Sequence, residues 1–120
     1  MSDVLGSTTL PRDDLVLDVR ITGRPDGSVV LAVAGEVDAQ STPVLERALD
    51  LAAAAHPPTV LVDLAGVRFL NASGLRALHH ALVLAAEQGW LVELRAAPGH
   101  VARLLDRVGL PHATEPRAGT

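Results

Sequence analysis

The chain has 120 residues, a formal net charge of −4 and no cysteine, enough to bury roughly two thirds of its unfolded surface in one domain and to exclude disulfides and thiolate metal sites. Hydrophobic residues make up 48%, nearly all Ala, Leu and Val, while aromatic residues make up 2%. All ten basic residues are Arg, so Schiff-base and Walker-type lysine chemistry are excluded, and an acidic chain so poor in rings does not read as a nucleic-acid binder.

Residues 1–13 mix Ser, Thr, Pro and Asp without periodicity and are expected to form a flexible arm. Neither a basic region nor a long apolar region opens the chain, and no stretch reaches membrane-spanning length, so a cytoplasmic location is expected. Residues 15–22 alternate, with Leu15, Leu17, Val19 and Ile21 on one face of a half-buried strand. A turn cluster at residues 23–27 leads to a second strand at 28–34, which predicts an antiparallel hairpin. Ser41-Thr42-Pro43 marks a helix start with a hydroxyl cap and a first-turn proline, with Glu46 suited to the positive end of the dipole. Leu45, Ala48, Leu49 and Ala52 form its buried stripe, and His56-Pro57-Pro58 stops it.

Residues 59–64 are an apolar run expected of a central strand covered on both faces. Residues 65–70 pass through a break at Gly66 into Asn71-Ala72-Ser73-Gly74, and a second helix carries Leu75, Leu78, Leu82 and Ala85 inward before Gly89 caps it. Residues 90–95 read as a strand. A third helix buries Val101, Leu104, Leu105 and Val108, and a short last strand is expected at 112–114. Alternating strands and helices after the hairpin predict an α/β fold. Residues 14–114 form the single domain, and residues 115–120 are expected to be a disordered tail.

The five histidines do not make a metal site: His79 and His80 are adjacent and project about 100° apart on a helix, and no His-x-x-x-His pair exists. The nucleophile elbow Gly-x-Ser-x-Gly is absent, and Ser73-Gly74 offers one glycine where a phosphate cradle uses three. No catalytic residue, metal or cofactor is therefore expected. What remains is polar residues at two helix starts: Glu36, Asp38, Ser41 and Thr42 before the first, Asn71 and Ser73 before the second. If both loops leave carboxyl ends of strands, they meet at one end of the sheet, where α/β proteins place their sites. Read singly, the hydroxyl and amide residues among them are also ordinary helix caps, each contributing about 1 kcal/mol.

Gly35-Glu36-Val37-Asp38, followed by Val60-Leu61-Val62-Asp63-Leu64-Ala65-Gly66-Val67-Arg68-Phe69-Leu70-Asn71-Ala72-Ser73-Gly74-Leu75-Arg76-Ala77-Leu78, resembles the STAS domain of bacterial anti-sigma factor antagonists. The similarity spans about residues 15–112, including the order of elements. It implies a STAS-like α/β fold, a four- to five-stranded mixed sheet with about three to four helices packed on it. It also implies a non-enzymatic switch that binds a serine-kinase-type anti-sigma factor and so releases a sigma factor. In that pattern the kinase phosphorylates a serine at the start of the second helix. Here the corresponding residue is Ala72, preceded by Asn71 in place of Asp, and only Ser73 keeps a hydroxyl.

The resemblance leaves three roles open: a constitutive binder, a phospho-switch with Ser73, or Ser41 or Thr42 nearby, as acceptor, and a scaffold or transporter-associated subunit or small-ligand binder. The expected binding residues are Glu36, Asp38, Ser41, Asn71, Ala72, Ser73, Gly74, Leu75 and Arg76, with an anti-sigma factor as partner, neither nucleic acid nor membrane as ligand, and a mostly monomeric protein that self-associates at most weakly.

Overall fold

The computed structural model describes residues 3–9, by their backbone, and residues 17–113. The alternation of Leu17, Val19 and Ile21 with exposed Arg20 makes β2 (Leu17–Gly23), which pairs antiparallel with β3 (Val29–Val37). The turn between them has Gly27 at φ 89°, a left-handed conformation that glycine adopts without a Cβ penalty, and the Asp26 carboxylate accepts from the Ser28 N–H at 2.9 Å. Then follow α1 (Thr42–Ala54), β4 (Thr59–Leu70), α2 (Ala72–Gln88), β5 (Leu91–Arg95) and α3 (Gly99–Arg107). With β1 (Asp3–Thr9) the strands form one mixed sheet in the order β1-β2-β3-β4-β5, antiparallel from β1 to β3 and parallel from β3 to β5.

One contiguous core joins Val19, Leu31, Val60, Val62 and Leu94 of the sheet to Leu45 and Leu49 of α1, Leu78 and Ala81 of α2, and Val101 and Leu105 of α3. The helices therefore cover one face of the sheet, and Leu61, buried outside this cluster, is on the other. The stripe expected for α1 is buried as read, with Leu45, Ala48, Leu49 and Ala52 all in the core.

Several expectations are corrected. Residues 3–9 of the expected arm form β1, because backbone pairing to the free edge of β2 needs no apolar alternation; residues 10–13 and the tail from 115 lie outside the described residues. Residues 65–70 do not leave the sheet but prolong β4 alongside β3. Gly66 is a shift of register rather than a break, since a Cβ there would come within 2.9 Å of Ala34 Cβ. On α2 the fully buried stripe is Gly74, Ala77, Leu78, Ala81 and Ala85, with Leu75 and Leu82 flanking it half-buried, so small residues bring the helix close to the sheet. Glu46 lies beyond the first turn of α1. Val108 caps α3 and is 53% exposed, because Gly109 turns the chain at φ 76° and inserts Leu110 instead. The last strand reduces to one bridge between Ala113 and Arg95.

Gly74 sets how closely α2 approaches the strand ends, since a Cβ on it would meet Leu70 Cδ1 at 2.5 Å and Val37 Cγ1 at 2.7 Å. Gly74→Val is expected to lower folding stability by about 1–3 kcal/mol, the usual range for overpacking, measured as a lower urea midpoint with unchanged slope.

Candidate functional site

β3 and β4 are parallel neighbours that end together, Val37 opposite Leu70, and the Asn71 N–H donates to the Val37 carbonyl at 3.0 Å. The loops leaving these strands therefore emerge side by side, as the sequence predicts, and each turns at once into a helix.

In the first loop Asp38 is the organising residue. Its Oδ1 accepts from the N–H groups of Gln40 (3.0 Å) and Ser41 (2.9 Å), and its carbonyl accepts from the Thr42 N–H (2.8 Å) and the Thr42 hydroxyl (2.6 Å). The Ser41 N–H, opposed by desolvation and aided by the Ser41 hydroxyl and the Gln40 N–H, holds the Asp38 carboxyl below its ordinary range. Ser41, expected to cap α1 and to face a partner, does neither. It is fully buried with helical dihedrals, its oxygen accepts from the Asp38 N–H at 3.0 Å, and its hydroxyl lies 2.7 Å from the Glu36 carbonyl. A residue already inside the helical turn cannot reach back to cap it, so Asp38 ties down the start of α1 from outside.

In the second loop Asn71 is a true N-cap in extended conformation: its Oδ1 accepts from the N–H groups of Ser73 (3.0 Å) and Gly74 (3.3 Å) and from the Ser73 hydroxyl (2.6 Å). The two backbone donors fix which end of the amide is oxygen. Ser73 is thus inside α2, not in the loop before it.

The two helix starts are joined by a 2.9 Å contact between Thr42 Oγ1 and Ser73 Oγ. Each hydroxyl also has a pure acceptor in reach, the Asp38 carbonyl for Thr42 and Asn71 Oδ1 for Ser73, so whichever of the two donates across the contact shares its one proton between two acceptors. Among the described residues no carboxylate or imidazole hydrogen-bonds to the Ser73 hydroxyl. An open depression beside it is lined in part by Glu46, Arg76, His79 and His80, and none of the four bonds to Ser73 or Thr42. Among the described residues no cluster of His, Asp or Glu could hold a metal.

The expected residues therefore divide. Asn71, Ser73 and Asp38 form one connected network, with Ser41 and Gly74 buried as its supports. Ala72 and Arg76 are exposed, one turn apart on α2, and Leu75 packs half-buried against the core. The Glu36 side chain makes a loose, exposed pair with Arg68 at 3.9 Å. That Thr42 links the two helices has no sign in the sequence, because a contact between residues 31 apart has no local signature.

A family model described as "Mlab, STAS domain" matches residues 21–115. An anti-sigma factor antagonist from Mycobacterium paratuberculosis is 28% identical, with a TM-score of 0.67, over 94% of this chain and 88% of that one. The Bacillus cell fate determinant SpoIIAA in its phosphorylated form is 14% identical with a TM-score of 0.68, over 83% of this chain and 92% of its own. The unphosphorylated form of the anti-sigma factor antagonist SpoIIAA is 16% identical with a TM-score of 0.65, over 83% and 89%. These last two share the fold. No curated protein matches the chain.

A carboxylate whose folded-state pKa is depressed stabilises the fold above its unfolded value and loses that contribution as the pH falls through the folded one. Asp38→Asn is expected to lower the urea midpoint at pH 7. The gap to wild type should close as the pH drops below about 4, and a gap that stays constant down to pH 3 would contradict the role given to Asp38.

Proposed function

The chain belongs to the STAS domain family, whose model spans residues 21–115, and from that membership we propose that it is an anti-sigma factor antagonist. It binds a serine-kinase-type anti-sigma factor through the start of α2 and frees a sigma factor, with no catalytic residue of its own. The similarity to the mycobacterial antagonist over 94% of this chain carries the reading. The exposed start of α2, displaying Ala72 and Arg76 beside the Asp38 loop, supplies a surface for it. On this reading the protein works in the cytoplasm, mostly as a monomer that self-associates at most weakly.

On this reading the switch is locked. A phosphate adds about −1.5 to −2 charges, and at the start of a helix its own chain tolerates it through the dipole. Inside a docked interface the same charge is desolvated and competes with the partner for the cations there, at a cost of several kcal/mol. Ala72, at the position that resembles the acceptor, has no hydroxyl to carry it. Ser73 is a poor substitute, because its hydroxyl is half-buried and already donates to Asn71 at 2.6 Å. The antagonist is then constitutive, and its output follows its concentration.

Affinity purification from the native host is expected to recover an anti-sigma factor with a kinase fold. Incubated with that kinase and ATP, the wild-type protein should stay unlabelled by mass spectrometry, whereas Ala72→Ser should be phosphorylated and released. Stoichiometric label on wild-type Ser73 would overturn the constitutive reading. Recovery of a transporter subunit, with no anti-sigma factor present, would overturn the function itself.

A further inference from the structure

Between the first turns of α2 and the end of α3 lies a cavity of about 300 Å3 lined by Ala72, Leu75, Arg76, His79, Val108 and Leu110. Its apolar wall is unusual for its place. Val108 is 53% exposed, although the third helix otherwise turns its apolar residues inward, with Val101 and Leu105 at 0%. Leu75 is half-buried against the core, and Leu110 closes the floor. One full cation stands at the rim: Arg76 is exposed, and among the described residues no carboxylate pairs with it. In a chain of net charge −4 this is a positive spot beside an open apolar pocket, and the pocket opens against Ala72.

We infer that this pocket receives one apolar side chain of the anti-sigma factor, flanked by a carboxylate that pairs with Arg76. The inference rests on the functional reading above and adds to it the chemistry of the partner's contact segment. The volume is at the lower limit of pockets that hold small molecules and suits a single aliphatic or aromatic anchor. An anchor enclosed in a pocket with an arginine beside it is the arrangement in which interface energy concentrates. Charge complementarity selects the acidic flank, because an unpaired guanidinium takes a carboxylate in fork geometry and rejects a basic one.

The same geometry gives residue 72 a direct hold on the pocket. Positions 72 and 76 are four apart on one helix, so their side chains are neighbours. An anionic group at 72 would draw the Arg76 guanidinium to itself and away from the partner's carboxylate. Alanine at 72 leaves Arg76 available.

The experiment titrates the purified anti-sigma factor recovered from the native host into the full-length protein and its variants. Val108→Asp and Arg76→Glu are each expected to weaken binding by about tenfold or more, whereas Leu51→Asp, an exposed apolar residue on α1, should stay within about twofold. Unchanged circular dichroism and urea midpoints separate these losses from misfolding. Ala72→Glu should weaken binding by about tenfold in the wild-type background and by much less when Arg76→Ala is already present, since its effect runs through the arginine. If the wild-type protein binds and both pocket variants bind as tightly, the pocket is overturned and the family function stands. If the wild-type protein does not bind the anti-sigma factor, both fall. A dimer seen by sedimentation and abolished by Val108→Asp would assign the pocket to a second copy of the chain and overturn the choice of partner.

Discussion

The parallel pairing of β3 with β4 runs to their last residues, Val37 opposite Leu70, and one more hydrogen bond from Asn71 N–H to the Val37 carbonyl carries it into the loop. Because the two strands end level, the two chains that leave them have no room to diverge before each turns back as a helix over the same face. The start of α2 is then pressed against Leu70 and Val37, which only a glycine at 74 permits. The cap residues, the hydroxyl contact and the exposed turn of α2 all take their positions from that shared end.

Two different solutions satisfy the orphan N–H groups of the two helices. Asn71 caps α2 with its own side chain, while α1 is tied down by Asp38, three residues before its cap position. Thr42 and Ser73 then connect them through a hydroxyl–hydroxyl hydrogen bond, each hydroxyl also bonded within its own loop. A network of this kind, bonded across two helix starts, holds the shape of the surface around it. Its charge is modest and local: the carboxylate of Asp38 faces inward to backbone amides, and Arg76 faces outward.

The start of α2 separates two duties. The residues that build the α2 start are buried or bonded, so altering them alters the fold, whereas Ala72, Arg76 and Val108 are exposed and can change with little structural cost. On the function proposed above, one added charge on this surface suffices as a switch, and alanine at 72 has no hydroxyl to carry a phosphate.

Much of this was legible in the chain. The alternation at Leu17, Val19 and Ile21, the stripe Leu45, Ala48, Leu49 and Ala52, and the glycine after Gln88 each follow from backbone periodicity or φ preference, which are local properties. The apolar run at 59–64 and the order of elements sufficed for an α/β sheet. Residues 3–9 and 65–70 were misread because a strand's partner, not its own pattern, supplies its hydrogen bonds. Val108 was misread because helical periodicity assumes that the helix continues, and Gly109 ended it.

The sequence by itself determined the class of fold, the faces of most elements, and the absence of hydroxyl at residue 72, since composition and period reside in the chain alone. Only the tertiary structure decided that Thr42 touches Ser73, that Asp38 rather than Ser41 anchors α1, and that Val108 meets Leu75 and Arg76 around a pocket. Those contacts join residues far apart in sequence, and their geometry is set by how two strands end level and how closely glycine and alanine let a helix approach them.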